Sequence, residues 1–80
     1  MPEEQLFKTE GSRTRADIAE RLVAAAEEIE AGTVRLEGPE TQQEVILPEN
    51  PTFEVELERL TDSETGEQRY ELEYEIRWTE

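Results

Sequence analysis

Half of the chain's positive charge sits near its start. Lys8, Arg13, Arg15 and Arg21 are four of its eight basic residues, and the stretch "GSRTRAD" adds Ser12 and Thr14 just before an apolar periodicity begins. Guanidinium groups, a hydroxyl and the free backbone N–H groups of a helix start can together hold a phosphate or a carboxylate. Lys8, Arg13, Thr14, Arg15 and Arg21 are therefore the candidate anion-binding residues. A plainer reading stands beside this one. In it the arginines pair with the surplus of glutamates, as a charge-balancing surface requires, and their position at a helix N-terminus opposes its dipole.

The other stretch with chemical character closes the chain, "YELEYEIRWTE", residues 70–80. Tyr70, Leu72, Tyr74, Ile76 and Trp78 alternate with Glu71, Glu73, Glu75, Arg77 and Thr79. A period of two places the aromatic and aliphatic side chains on one face of a strand and the charges on the other. The simplest expectation is a core strand facing a helix, with Trp78 near the chain end as the large residue most apt to escape cover. Tyr74, Ile76 and Trp78 are the candidate interface residues, because an uncovered apolar patch marks a partner or a second copy.

Most other chemistries lack their residues. The chain has no His and no Cys, which removes the commonest general base, the thiolate nucleophile and the usual zinc ligands. Ser12 and Ser63 have no base to activate them, and Gly11, Gly32, Gly38 and Gly66 are isolated rather than gathered in a phosphate loop. "DSETGEQRYELE", from Asp62 to Glu73, has the length of a calcium loop, but its glycine is fifth rather than sixth and its last glutamate falls in a strand pattern. It reads as a solvated hairpin loop. No catalytic residue, cofactor or metal ligand is expected, and the chain does not read as an enzyme.

The elements that position these residues follow from periodicity. "EQLFKTE", residues 4–10, is a short strand candidate with Leu6 or Phe7 turned inward. Ile18, Ala19, Leu22, Val23, Ala26 and Ile29 recur at helical spacing, so an amphipathic helix is expected over 14–31. Thr14 and Asp17 resemble a capping box at its start, and Gly32 ends it. "TVRLEG" and "EVILP" form a hairpin around "GPET", with Val34 expected opposite Leu47 and Leu36 opposite Val45. "PENP" makes a corner. "TFEVELERL" then alternates Phe53, Val55 and Leu57 with Glu54, Glu56 and Glu58, and Leu60 requires either a bulge near Arg59 or exposure. The predicted fold class is α+β, in the order β-α-β-β-β-β. It is a mostly antiparallel sheet with one amphipathic helix packed on one face, in a single domain over 1–80.

If strand 53–59 pairs antiparallel with strand 70–78 and their apolar sides share a face, opposed residues have odd position sums. A sum of 129, for example, sets Phe53 against Ile76, Val55 against Tyr74 and Leu57 against Leu72. It also sets Glu54, Glu56 and Glu58 against Glu75, Glu73 and Glu71. Like charges directly opposed are destabilising, so stability is expected to rise with salt.

Twenty-two acidic residues face eight basic ones, for a net charge of −14 in 80 residues. Such a balance can signal disorder, but the apolar positions are too regular along the chain for that. It fits adaptation to high internal salt, where screening relieves self-repulsion and non-specific salt cations are the counter-ions. Seven of the eight basic residues are Arg, so the Lys and Glu enrichment of a hyperthermophile is absent. No apolar run approaches a membrane span and no signal-peptide pattern opens the chain, so a cytoplasmic protein without membrane contact is expected.

Taken in order, the leading segment with Phe7, "TRADIAERL", "AGTVRL", "LPENPTFEVELE" and "ELEYEIRW" ending in Trp78 resemble the amphi-Trp domain family, a small archaeal and bacterial module. The resemblance spans nearly the whole chain. It implies no known enzymatic activity and no catalytic residues, and it makes Thr14, Arg15 and Trp78 candidates for a shared role. The acidity marks a haloarchaeal member. The expected function is a non-enzymatic protein-interaction or oligomerisation domain, with an unknown protein partner or a homodimer. The alternative is an anion- or nucleic-acid-associated accessory protein using the basic spot. A net charge of −14 opposes direct contact with a nucleic-acid backbone.

Overall fold

Thr14 stops the chain from entering the helix as a frayed end. Its backbone is extended (φ −74°, ψ 159°), and its hydroxyl oxygen accepts the Asp17 N–H at 3.1 Å. That satisfies one of the donors that every helix start leaves unpaired. Helix α1 runs Arg15–Ala31 and ends at Gly32. Gly32 adopts φ 94°, a left-handed conformation open to a residue without Cβ, and its N–H donates to the Glu28 and Ile29 carbonyls. The computed structural model describes residues 2–80. Four strands follow the helix: β1 (Thr33–Glu37), β2 (Gln42–Ile46), β3 (Thr52–Thr61) and β4 (Gln68–Arg77). The α+β class and the antiparallel pairing are as the sequence predicts.

The chain divides into two compact units, Met1–Glu49 and Asn50–Glu80. In the first, α1 lies against the β1–β2 hairpin. Glu28 Oε1 accepts the Arg35 backbone N–H at 2.7 Å, and the Leu47 N–H donates to the Gly32 carbonyl at 2.9 Å. Val34 and Leu36 on β1 and Gln43 and Val45 on β2 form the half-buried face. Val34 and Leu36, Phe7 and the helix residues Ala24 and Ala25 line an open groove of about 540 Å³, whose walls also include Arg21, Glu28, Arg35 and Glu37. No described residue of the unit is buried.

The β1–β2 register differs from the expected one. Val34 faces Val45 and Leu36 faces Gln43, a shift of two residues. Both registers keep the same faces, because both sums are odd, so hydrophobic pattern alone cannot choose between them. The turn chooses. The Gly38 N–H donates to the Thr41 carbonyl at 2.8 Å, which closes the hairpin around Pro39 and Glu40. Leu47 then lies just beyond the paired strand and spends its N–H on Gly32.

The expected leading strand over 4–10 does not form. Phe7 is the inward residue, while Leu6 is exposed. The Phe7 ring packs over Gly38, 3.3 Å from where a Cβ there would stand. A single inward side chain anchors the segment without ordering a backbone ladder.

In the second unit β3 and β4 form a ten-by-ten-residue hairpin; of the odd-sum registers that the alternation allows, it adopts the one taken above as an example, with Phe53 opposite Ile76, Val55 opposite Tyr74 and Leu57 opposite Leu72. The ladder continues without a bulge through Arg59–Tyr70, Leu60–Arg69 and Thr61–Gln68, so Leu60 stays on the glutamate face, partly exposed. At the tip, Asp62 Oδ1 accepts the N–H groups of Glu64 and Thr65, and Gly66 takes φ 77°. These bonds hold the Asp62 carboxyl below its ordinary value. The two hairpins are separate two-stranded sheets rather than one meander. Between β2 and β3 stand Pro48 and Pro51, which offer no N–H to a ladder.

Candidate interaction site

The β3–β4 hairpin sorts its side chains by parity. Phe53, Val55 and Leu57 share one face with Tyr70, Leu72, Tyr74 and Ile76, while Glu54, Glu56 and Glu58 share the other with Glu71, Glu73 and Glu75. The closing strand is not the core strand that its alternation suggests. Phe53 is 62% exposed, Leu57 69% and Tyr74 58%. The Phe53 and Tyr74 rings stack across the strands, with centroids 6.3 Å apart and planes 12° from parallel, making a flat aromatic platform. Trp78, expected to be the residue that escapes cover, is 36% exposed and more sheltered than Tyr74. It follows β4, and with Thr52 and Ile76 it borders a cavity of about 560 Å³ at the open end of the hairpin.

An amphipathic last strand that leads into a tryptophan is thus a feature of the folded hairpin. A family model, that of the Amphi-Trp domain, matches residues 1–80. The chain belongs to the Amphi-Trp domain family. Comparison with curated proteins and with solved structures yields no match.

The charged face of this Amphi-Trp domain is neutralised only at its ends. Arg77 Nη1 lies 2.8 Å from Glu54 Oε1 and 2.8 Å from Glu75 Oε1, bridging two glutamates that face each other across the ladder. Arg77's hydrogen bond and charge hold the Glu54 carboxyl below its ordinary value. At the other end Arg69 Nε stands 3.8 Å from Glu71. Among the described residues, Glu56, Glu58 and Glu73 in the middle have no ion-pair partner. A hydrogen bond with Glu58, then Glu58's negative charge, then Glu54 on the other side, push the Glu56 carboxyl up to about 7.

The basic residues are brought together in part. Lys8, Arg13 and Arg21 line one cavity of about 420 Å³ in the first unit, together with Glu10 and Glu37. Arg15 and Thr14 do not line it, and Thr14's hydroxyl is already committed to the helix start. Asp17 holds both neighbouring arginines through their Nε atoms, Arg13 at 3.4 Å and Arg21 at 3.2 Å. This clamp was legible in the sequence, since Asp17 lies four residues from each. The convergence of Glu10 and Glu37 on the same cavity was not, because it depends on how the leading segment passes the β1–β2 turn. With three carboxylates beside three cations, the spot is close to neutral. Among the described residues no group of three or more Asp and Glu side chains is placed to hold a metal ion, and no helix is long and apolar enough to cross a membrane.

Proposed function

We propose that the chain works as a non-enzymatic protein-interaction or oligomerisation domain, with the apolar face of the β3–β4 hairpin and its Ile76–Trp78 end as the contact surface. The observation that carries this reading is the exposure of Phe53, Val55, Leu57, Tyr70, Leu72 and Tyr74 together on one face. Large contiguous apolar patches on a protein surface mark interaction sites. Aromatic side chains are the residues that most often anchor such contacts. The glutamate face has the opposite role, keeping the molecule dispersed among non-specific salt cations. The composition is that of a salt-in haloarchaeal cytoplasm, where screening shortens the reach of a net charge of −14. Photo-crosslinking at native salt tests the surface. A crosslinker placed at Tyr74 is expected to give protein adducts, and one at Glu73, on the opposite face, is not. Equal yields from the two positions refute the assignment.

A second reading is favoured by the shared cavity of Lys8, Arg13 and Arg21. There the chain would serve as an anion-associated accessory protein, with phosphate or carboxylate held by the terminal guanidinium nitrogens that Asp17 leaves unused. Phosphate titration followed by amide NMR is expected to move the Lys8 and Arg13 signals. If they stay still at millimolar phosphate, this reading fails.

A further inference from the structure

We propose that a second copy of the chain covers the apolar face of the β3–β4 hairpin, the two hairpins stacking face to face about a twofold axis. The inference rests on the interaction reading above and names the partner.

The first argument is that the hairpin cannot be left as it stands. An isolated two-stranded hairpin is marginal in water and needs a hydrophobic face packed against something. None of the described residues of this unit is buried, yet its strands are ten residues long and in unbroken register. The ordering entropy of such strands is repaid by burying their apolar side.

The second argument is area. Six large side chains on this face are each more than half exposed. At roughly 150–250 Å² for an aromatic and somewhat less for an aliphatic, the exposed part comes to about 600 Å² per copy and about 1,200 Å² for a pair, the lower end of what a specific stable interface buries. A patch of this size suits a partner hairpin of equal dimensions.

Charge selects the copy over an unlike partner. Every glutamate of the ladder lies on the opposite face, so face-to-face stacking leaves both acidic arrays outside. Two packed sheets stand about 10 Å apart, and the outward carboxylates lie farther still, beyond the ~3 Å screening length of molar salt. Edge-to-edge joining would instead set the two acidic rows side by side. A basic partner would be drawn to the glutamate face and leave this one bare. The face carries Arg59 as its one charge, near the tip, and its centre at Val55, Leu57, Leu72 and Tyr74 is wholly uncharged, as a self-complementary contact requires.

Sedimentation of the whole chain in molar KCl, combined with chemical labelling of Tyr70 and Tyr74, tests the inference. The expected result is a dimer in which both tyrosines resist labelling, becoming reactive as dilution gives monomer. Leu57→Asp is expected to weaken association by ~100-fold or more, because it buries a charge with no partner. As that substitution could also disturb the hairpin, Leu57→Cys supplies a second measurement: oxidation should link two copies through this position near the axis. A dimer whose affinity ignores Leu57→Asp and which does not link through position 57 overturns the face-to-face arrangement. A monomer with both tyrosines reactive overturns the second copy while sparing the interaction reading for a different partner. A monomer with both tyrosines protected overturns both.

Discussion

Replacing Glu56 by Gln should change the pH dependence of stability more than stability itself. Along β3, Glu54, Glu56 and Glu58 stand two residues apart, about 7 Å at the strand's rise per residue, and each faces a β4 glutamate about 5 Å away. Both separations lie inside the ~10 Å screening length of 0.1 M salt and outside the ~3 Å length of 1 M salt. Arg77 and Arg69 serve the end glutamates, and Glu56 stands between Glu58 and Glu54 on its own strand, the two neighbours whose hydrogen bonds and charges act on it. The folded-state value of Glu56 is raised from 4.5 to about 7. A raised value means that the folded state binds the proton more tightly than the unfolded state. The resulting stability is fully present below about 4.5 and is lost as pH rises through about 7. Glu54 and Asp62 have lowered values, so their contribution is present above the ordinary carboxylate values and is lost only as pH falls through their folded ones, outside this window. In low salt the melting temperature of the native chain, followed by far-UV circular dichroism, should therefore fall between pH 4.5 and about 7, by up to one proton's worth of linkage. Glu56→Gln should flatten that slope and melt higher than the native chain at its alkaline end. Molar KCl should flatten the native slope as well. A native melting temperature that is level or rising across this window in low salt, or a Glu56→Gln variant with an unchanged slope, refutes the ladder argument.

Two further substitutions probe the helix ends. Thr14→Ala removes the oxygen that accepts the Asp17 N–H and should cost about 1 kcal/mol, whereas Thr14→Ser should cost much less, as read by urea unfolding. Gly32→Ala forces a Cβ into φ 94°; nothing lies within 4 Å of that Cβ, so the cost of ~1–2 kcal/mol is purely conformational, and Gly32→Asn should recover part of it in the same assay.

Much of the local structure was written in the chain. Thr14, Asp17 and Gly32 mark the helix ends by side-chain chemistry that acts within a few residues. The alternation of residues 53–58 against 70–76 forced glutamate opposite glutamate under any register that kept the apolar face together. Local rules of this kind are legible because they involve neighbours whose separation is known in advance. The β1–β2 register was less legible, since two registers satisfy the same pattern and the Gly38–Thr41 turn decides between them.

Other features needed the third dimension. Whether the leading segment pairs as a strand depends on the Phe7–Gly38 contact, which no periodicity announces. The grouping of Lys8, Arg13 and Arg21 around one cavity, and their neutralisation by Glu10, Glu37 and Asp17, likewise arises from segments distant in the chain. Above all, alternation says which side of a strand is apolar but not what covers it. The sequence by itself determined the two faces of the β3–β4 hairpin, because side-chain parity is a property of a single strand. Only the tertiary structure decided that Phe53, Leu57 and Tyr74 stand exposed while Trp78 is the more sheltered, because burial is a property of everything that packs around a residue.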